Sequence, residues 1–297
     1  MSSDTAAEPL PAETGGILFV HAHPDDESIN NGATMAKYAA SGTRVTLVTC
    51  TRGELGEIIP PRYAHLAADR EDRLGEHRET ELAAAMRELG VDDHRFLGEP
   101  GEYRDSGMMG TEGNELPESF WRADVDEAAE RLANVIREVR PRIVVTYNEI
   151  GGYGHPDHIQ THRVALRAVD LVEGTKHAVD RVYYNLMPRS VMTTALDELR
   201  SAAEIAFTAP ASLDDVAVVL EDDSMISAVV RAEKFAQAKA AAMRAHVTQI
   251  TVEEPFYALS DNVGMTVLGT EYYRQARGDL PEPGAPVRTD LFAGLAG

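Results

Sequence analysis

Within about 35 residues, from Ile17 to Cys50, a short apolar run, a helical pattern and a second apolar run follow one another. Ile17 to Val20 reads as a buried strand that ends in the polar cluster His21 to Glu27. Ser28 to Ser41 has the helical spacing, with Gly42 as its stop. Arg44 to Cys50 is the second strand. Two strands joined through a helix lie parallel, and a right-handed crossover places that helix on one face of the sheet. The chain is thereby expected to form an α/β fold: a Rossmann-like, mostly parallel sheet with helices on both faces.

The same alternation continues. Glu76 to Leu89 is predicted helical, with Leu82, Met86 and Leu89 at core spacing and Gly90 as the stop. His94 to Leu97 is a third strand. Asp124 to Val139 forms a helix whose stripe is Val125, Ala128, Ala129, Leu132, Val135 and Ile136, and Pro141 ends it. Ile143 to Tyr147 is the fourth strand, Asp157 to Val172 the next helix and Val182 to Leu186 the next strand. Two long segments, Thr51 to Asp72 and Gly98 to Glu118, contain several glycines, and loops of that length usually carry function. Beyond Pro188 the pattern loosens. Helices are expected near Val191 to Leu199 and Ser227 to His246, and strands near Ala217 to Leu220 and Val263 to Leu268. No repeat and no linker is visible. The expected organisation is a short disordered tail over 1–14, a Rossmann-like metal-binding catalytic domain over 15–188, and a smaller C-terminal α/β lobe over 189–297 packed on it.

Composition narrows the function classes. The 297 residues include 49 acidic and 28 basic side chains, for a formal charge of −21. Such a surface repels phosphate backbones and anionic bilayers, so neither nucleic acid nor membrane is an expected partner. No apolar stretch approaches the ~20 residues that span a bilayer, and the first 14 lack the basic and apolar regions of a signal peptide. The single cysteine, Cys50, sits in an apolar run, where a buried, inert thiol is expected. One unpaired cysteine suits a reducing compartment, and the expected location of this soluble chain is the cytoplasm.

The chemistry concentrates in two clusters. His23-Pro24-Asp25-Asp26 stands where the first strand passes into the first helix, and ligands of open α/β sheets gather at the carboxyl ends of strands. Taken singly, Asp25 or Asp26 reads as a helix cap; the whole cluster beside His21 reads as a site. Gly154-His155-Pro156-Asp157-His158 follows the fourth strand and repeats the His-Pro-Asp arrangement. Parallel strands deliver both clusters to one edge of the sheet. Two histidines and an aspartate with an open position are the ligand type of a catalytic zinc site. His162, four residues beyond His158, suits a supporting or surface role better than a fourth ligand. His65, His77 and His94 read as solvated side chains. Glu54 and Glu57 suit substrate contact or loop ordering equally. The first turn lacks G-x-G-x-x-G, so no dinucleotide is expected, and there is no G-x-S-x-G elbow of a serine hydrolase.

These motifs, with Val20 to Ser28 (VHAHPDDES), Asn31 to Thr34, Arg104 to Met108 and the ending Thr289 to Leu295, resemble the GlcNAc-phosphatidylinositol deacetylase family from Gly16 nearly to the end of the chain. Within the family the likeness is to its mycothiol-biosynthesis branch. The resemblance implies a zinc-dependent N-deacetylase that removes acetate from GlcNAc-inositol, a small aminosugar-inositol substrate. It implies one ion per subunit, Zn²⁺ or Fe²⁺, held by His23, Asp26 and His158. It makes Asp25 the general base, His155 the electrostatic stabiliser or general acid, and Tyr153 a mobile donor to the oxyanion. Arg78, Asp105 and Met108 match positions that hold or line the sugar and inositol. Two rival readings are a mycothiol S-conjugate amidase and a catalytically silent sugar- or metal-binding protein. Amidase relatives carry a lysine shortly after HPDDES, where this chain has Ile29-Asn30-Asn31, which favours the deacetylase.

Overall fold

A computed structural model describes residues 15–295, apart from 203, 217 and 283. The tail expected over 1–14 lies outside the described residues. Strands β1 (Ile17–His21), β2 (Val45–Thr49), β3 (Asp93–Phe96), β4 (Ile143–Thr146) and β5 (Arg181–Leu186) pair in parallel. The intervening helices are α1 (Asp26–Ala40), α2 (Leu74–Leu89), α3 (Val125–Val139) and α4 (Pro156–Val172). Each begins or ends where local chemistry dictates. Asp124 caps α3 by accepting the N–H groups of Asp126 and Glu127, Pro156 opens α4, and Gly90 closes α2 in the left-handed conformation.

Alternate residues of the strands feed two cores. Ile17, Phe19, Leu47 and Val145 pack with Met35, Leu82 and Met86 from α1 and α2. Leu18, Val20, Val48 and Val144 pack with Leu132, Ile136 and Val164 from α3 and α4. Helices therefore cover both faces, as a parallel sheet requires.

The chain beyond 188 departs from expectation in several places. After α5 (Arg189–Ser201), the stretch predicted as one helix from Ser227 to His246 instead holds β6 (Ala228–Arg231) and a shorter helix, α6 (Ala236–Ala245). Ala228 and Val230 point into the core, which is the period of a strand rather than of a helix. No strand forms among the described residues near Val219, whose N–H instead bonds the Gly152 carbonyl at 2.8 Å. Three short strands, β7 (Thr251–Glu253), β8 (Phe256–Ala258) and β9 (Met265–Thr266), make a separate small sheet. The strand expected over Val263 to Leu268 shrinks to β9. The long strand β10 (Thr270–Arg277) was not predicted. It pairs antiparallel with both β5 and β6, giving a seven-stranded main sheet of order β3-β2-β1-β4-β5-β10-β6.

Strand order reverses at β1 and β4, which lie side by side with Phe19 opposite Val145. Crossovers leave that pair in opposite directions, so a crevice opens at their carboxyl ends. Both histidine clusters begin there.

Candidate metal centre

His23 follows β1, Asp26 opens α1 and His158 lies in the first turn of α4. Nδ1 of His23 is 3.3 Å from Nε2 of His158 and 3.5 Å from Oδ2 of Asp26, and that oxygen is 3.3 Å from Nε2 of His158. Donors bonded at 2.0–2.1 Å to a tetrahedral ion lie about 3.3–3.4 Å from one another. The triangle thus has the dimensions of one face of a zinc-type site. All three side chains are buried.

The remaining ring nitrogens are committed elsewhere. Nδ1 of His158 faces the Gly151 carbonyl at 3.1 Å, which fixes this nitrogen as the N–H donor and leaves Nε2 a lone pair. Gly151 is required by that approach: at φ 67° a Cβ here would stand 2.6 Å from Cβ of His158. Nε2 of His23 faces Oδ2 of Asp157 at 3.1 Å and Oδ1 of Asp105 at 3.8 Å. Three carboxylates therefore surround one imidazole. Burial alone would lower the His23 pKa, but Asp105, Asp157 and Asp26 together raise it well above the usual value. Burial likewise opposes charge on Asp26, yet His158 and His23 hold its carboxyl well below the usual range. A buried site this rich in negative charge suits a divalent cation.

His155 also brings a ring nitrogen within 4.8 Å of ligand atoms of His23 and His158. Its Nδ1 accepts the Asp157 N–H at 3.2 Å, and its Nε2 lies 4.0 Å from Oδ1 of Asp105. Burial, then the neighbouring His23 and His158, push its pKa down to about 3. His155 is therefore neutral, with its proton on Nε2. Tyr153 is 39% exposed, and its ring meets those of His158 and His155 edge-on at 4.8 and 6.0 Å.

Asp25 sits in the same turn with φ 133°, a conformation strained for any residue but glycine. Its Oδ2 accepts from Arg78 at 2.9 Å. Burial, opposed by Arg78 and assisted by Asp26, raises its pKa to about 6. Arg78, on α2, also donates to the carbonyls of Gly53, at 2.8 Å, and Pro24. At Gly53 a Cβ would fall 2.0 Å from the guanidinium, so the glycine admits that side chain. Neither Glu79 nor Glu81 is the partner of Arg78: the first pairs with Arg52, the second with Thr248. Asp105 is buried between the two long loops, accepting the N–H groups of Leu55 at 3.3 Å and Gly107 at 2.8 Å. Met108 stands half-exposed nearby in the chain.

Sequence reasoning missed Asp157 and Ser106 as supporting residues, whereas loop ordering by Glu54 and a supporting role for His162 were among its expectations. Asp157 is fully buried and receives both the N–H and the hydroxyl of Ser106. Glu54 orders the loops by accepting the Asp105 N–H at 2.9 Å, whereas Glu57 is exposed. Nδ1 of His162 lies 3.0 Å from the Tyr147 carbonyl at the end of β4. Tyr147 in turn stacks on His158 with ring centres 4.2 Å apart. His65 is exposed, and His77 stands 3.4 Å from Glu81. The repeated His-Pro-Asp was the one available signal for Asp157.

Residues 18–169 match the PIG-L family, described as GlcNAc-PI de-N-acetylase. The chain belongs to this family. It is 58% identical over 292 residues to 1D-myo-inositol 2-acetamido-2-deoxy-alpha-D-glucopyranoside deacetylase of Streptomyces griseus, covering 96% of this chain and 90% of that one. Among solved structures it is similar to the N,N'-diacetylchitobiose deacetylase of Pyrococcus horikoshii, at 20% identity and TM-score 0.52, over 80% of this chain and 71% of the other. It is also similar to the 4-carboxy-2-hydroxymuconate hydratase of Pseudomonas putida, at 17% identity and TM-score 0.54, over 91% and 100%. These two likenesses concern the fold alone. No helix among the described residues is long and apolar enough to cross a membrane.

Proposed function

We propose that this PIG-L chain is a zinc-dependent N-deacetylase that releases acetate from 1D-myo-inositol 2-acetamido-2-deoxy-alpha-D-glucopyranoside. The triangle of His23 Nδ1, Asp26 Oδ2 and His158 Nε2, with Asp25 on the adjoining turn, carries the reaction class. The substrate follows the name of the Streptomyces griseus relative and its identity across nearly the whole chain. The donor set suits Fe²⁺ as well as Zn²⁺.

When bound there, zinc supplies Lewis acidity, which eases deprotonation of water near neutral pH and polarises the amide carbonyl. The protein's part begins at Asp25. Its Oδ2 is engaged by Arg78, so Oδ1 is the oxygen that takes the proton from the attacking water. As the carbonyl carbon becomes tetrahedral, negative charge grows on its oxygen. The neutral His155 offers Nε2–H to that oxyanion, and the Tyr153 hydroxyl offers a second donor. The C–N bond then breaks, and the nitrogen leaves as an amine. A proton must reach it, and Asp25 now carries one. A neutral imidazole with pKa about 3 supports stabilisation by His155 rather than acid catalysis. Arg78, Asp105 and Met108 are assigned to the substrate pocket beside this centre.

The test is incubation of the zinc-loaded protein with GlcNAc-inositol, assaying free amine and acetate. A cysteinyl-GlcN-inositol conjugate is the parallel substrate. Turnover of the first alone is expected. Turnover of the conjugate alone would make the chain an amidase, and turnover of neither would make it a binding protein.

A further inference from the structure

Asp25 holds a strained backbone angle, and such strain persists only where the surroundings over-determine it. Arg78 fixes the carboxylate. The carbonyl of Asp25 accepts the N–H groups of Ser28 and Ile29, both at 3.0 Å. Its own N–H donates to Oε2 of Glu27 at 2.9 Å. Glu27 is fully buried, and its other oxygen, Oε1, lies 2.8 Å from Nε2 of His246. Oε1 also accepts the Ser28 hydroxyl at 2.5 Å; a buried carboxylate without donors is costly, and of these two donors only His246 reaches Glu27 from outside its own helix.

His246 comes from far along the chain, just after α6, and it too is fully buried. Its position is set independently. Two residues on, Thr248 gives its N–H and its hydroxyl to Glu81 of α2, each at 2.8 Å. Of the two ring nitrogens of His246 only Nε2 makes a hydrogen bond, because Nδ1 finds no partner among the described residues.

We propose that His246 is a positioning residue for the deacetylation: through Glu27 it holds the Asp25 turn in the shape that presents the carboxylate to the metal centre. The inference rests on the reading of Asp25 as the base. It assigns a part in the chemistry to a residue outside the stretch 18–169 that defines the family.

The geometry supplies its own test. The amide nitrogen of His246→Gln reaches roughly where Nε2 stands, whereas that of His246→Asn stops near Nδ1, out of reach of Glu27. Both variants, as full-length zinc-loaded protein, are assayed for kcat, KM, zinc content and melting temperature, with Asp25→Asn as the control. His246→Asn should lose kcat by on the order of 10²-fold, since small misplacement of a reacting group costs that much, with KM and zinc content kept. His246→Gln should recover most of the loss. Equal losses in the two variants, or wild-type kcat in His246→Asn, would overturn the proposal. Should His246→Asn not fold, Glu27→Leu decides. Its aliphatic side chain accepts from neither the Asp25 N–H nor His246 Nε2, so kcat must fall while KM holds; wild-type kcat there refutes the proposal equally. If Asp25→Asn itself keeps its kcat, the reading of the base has failed. If only the His246 and Glu27 variants keep theirs, this inference alone has failed.

Discussion

Oδ2 of Asp157 lies 3.1 Å from Nε2 of His23, and that contact decides which nitrogen of the ring faces Asp26 and His158. Asp157 is itself pinned by the N–H and hydroxyl of Ser106, in the second long loop. The chain thus runs from a loop, through a buried carboxylate, to the orientation of the His23 ring. A carboxylate behind a ligating imidazole fixes its tautomer and raises its basicity.

Removing that support should weaken metal binding without abolishing it. Asp157→Ala is expected to lower zinc affinity about 10- to 100-fold, measured by competition against a chelator at fixed pH. His158→Ala, which deletes one of the three proposed ligands, should lose both zinc and activity. Wild-type affinity in Asp157→Ala would show that His23 needs no such partner.

How much of this was legible follows from the kind of signal each part carries. The central parallel strands β1, β2 and β4 were readable because burial on both faces makes them largely apolar runs, as in Ile17 to Val20. β10 was not, because its inward face carries Glu271, Tyr273 and Gln275, which give no hydrophobic alternation. The convergence of His23, Asp26 and His158 was readable because their short motifs follow adjacent parallel strands. Glu27 and His246 were not, because their pairing spans 219 residues and depends on where α6 comes to rest.

Glu271 shows what that polar inward face requires. Its carboxylate accepts from Lys239 at 2.8 Å and from the N–H groups of Ala33 and Thr34 at 3.1 and 2.9 Å, with both charged side chains buried. Removing one partner leaves an uncompensated buried charge. Lys239→Met should therefore cost about 3–5 kcal/mol in urea unfolding. The double variant Lys239→Met/Glu271→Gln should be more stable than the single one, since the charge is gone. The reverse order of stabilities would contradict this account.

Arg78 and Asp105 are both assigned to the substrate pocket, yet their contacts differ. Arg78 bonds Asp25, whereas Asp105 lies against the backbone of both loops. Arg78→Met should therefore lower kcat alike on GlcNAc-inositol and on GlcNAc. Asp105→Ala should reduce kcat/KM on GlcNAc-inositol by about 10- to 150-fold, the equivalent of one charge-assisted hydrogen bond of about 1.5–3 kcal/mol, and less on GlcNAc. Equal losses on the two substrates from Asp105→Ala would mean that the inositol is read elsewhere.

The pH dependence follows from opposite shifts in two neighbours. The Asp25 side chain is 15% exposed, and burial above all lifts its pKa to about 6, against the pull of Arg78. A base works only when deprotonated, so kcat/KM should rise as pH rises through this value. A bound divalent ion adds positive charge nearby and lowers it, which puts the midpoint of the acid limb at or below about 6. Arg78→Met removes a lowering charge and should move the limb upward. His155, held at about 3 by burial and by His23 and His158, is neutral across the whole range of such an assay. If it acted as a cationic acid, its deprotonation would impose a descending limb, and its pKa would have to lie near neutrality. As a neutral donor it imposes none. The profile of His155→Gln should therefore keep the wild-type limbs at a lower plateau. A limb that vanishes in that variant would make His155 the proton donor to the leaving amine.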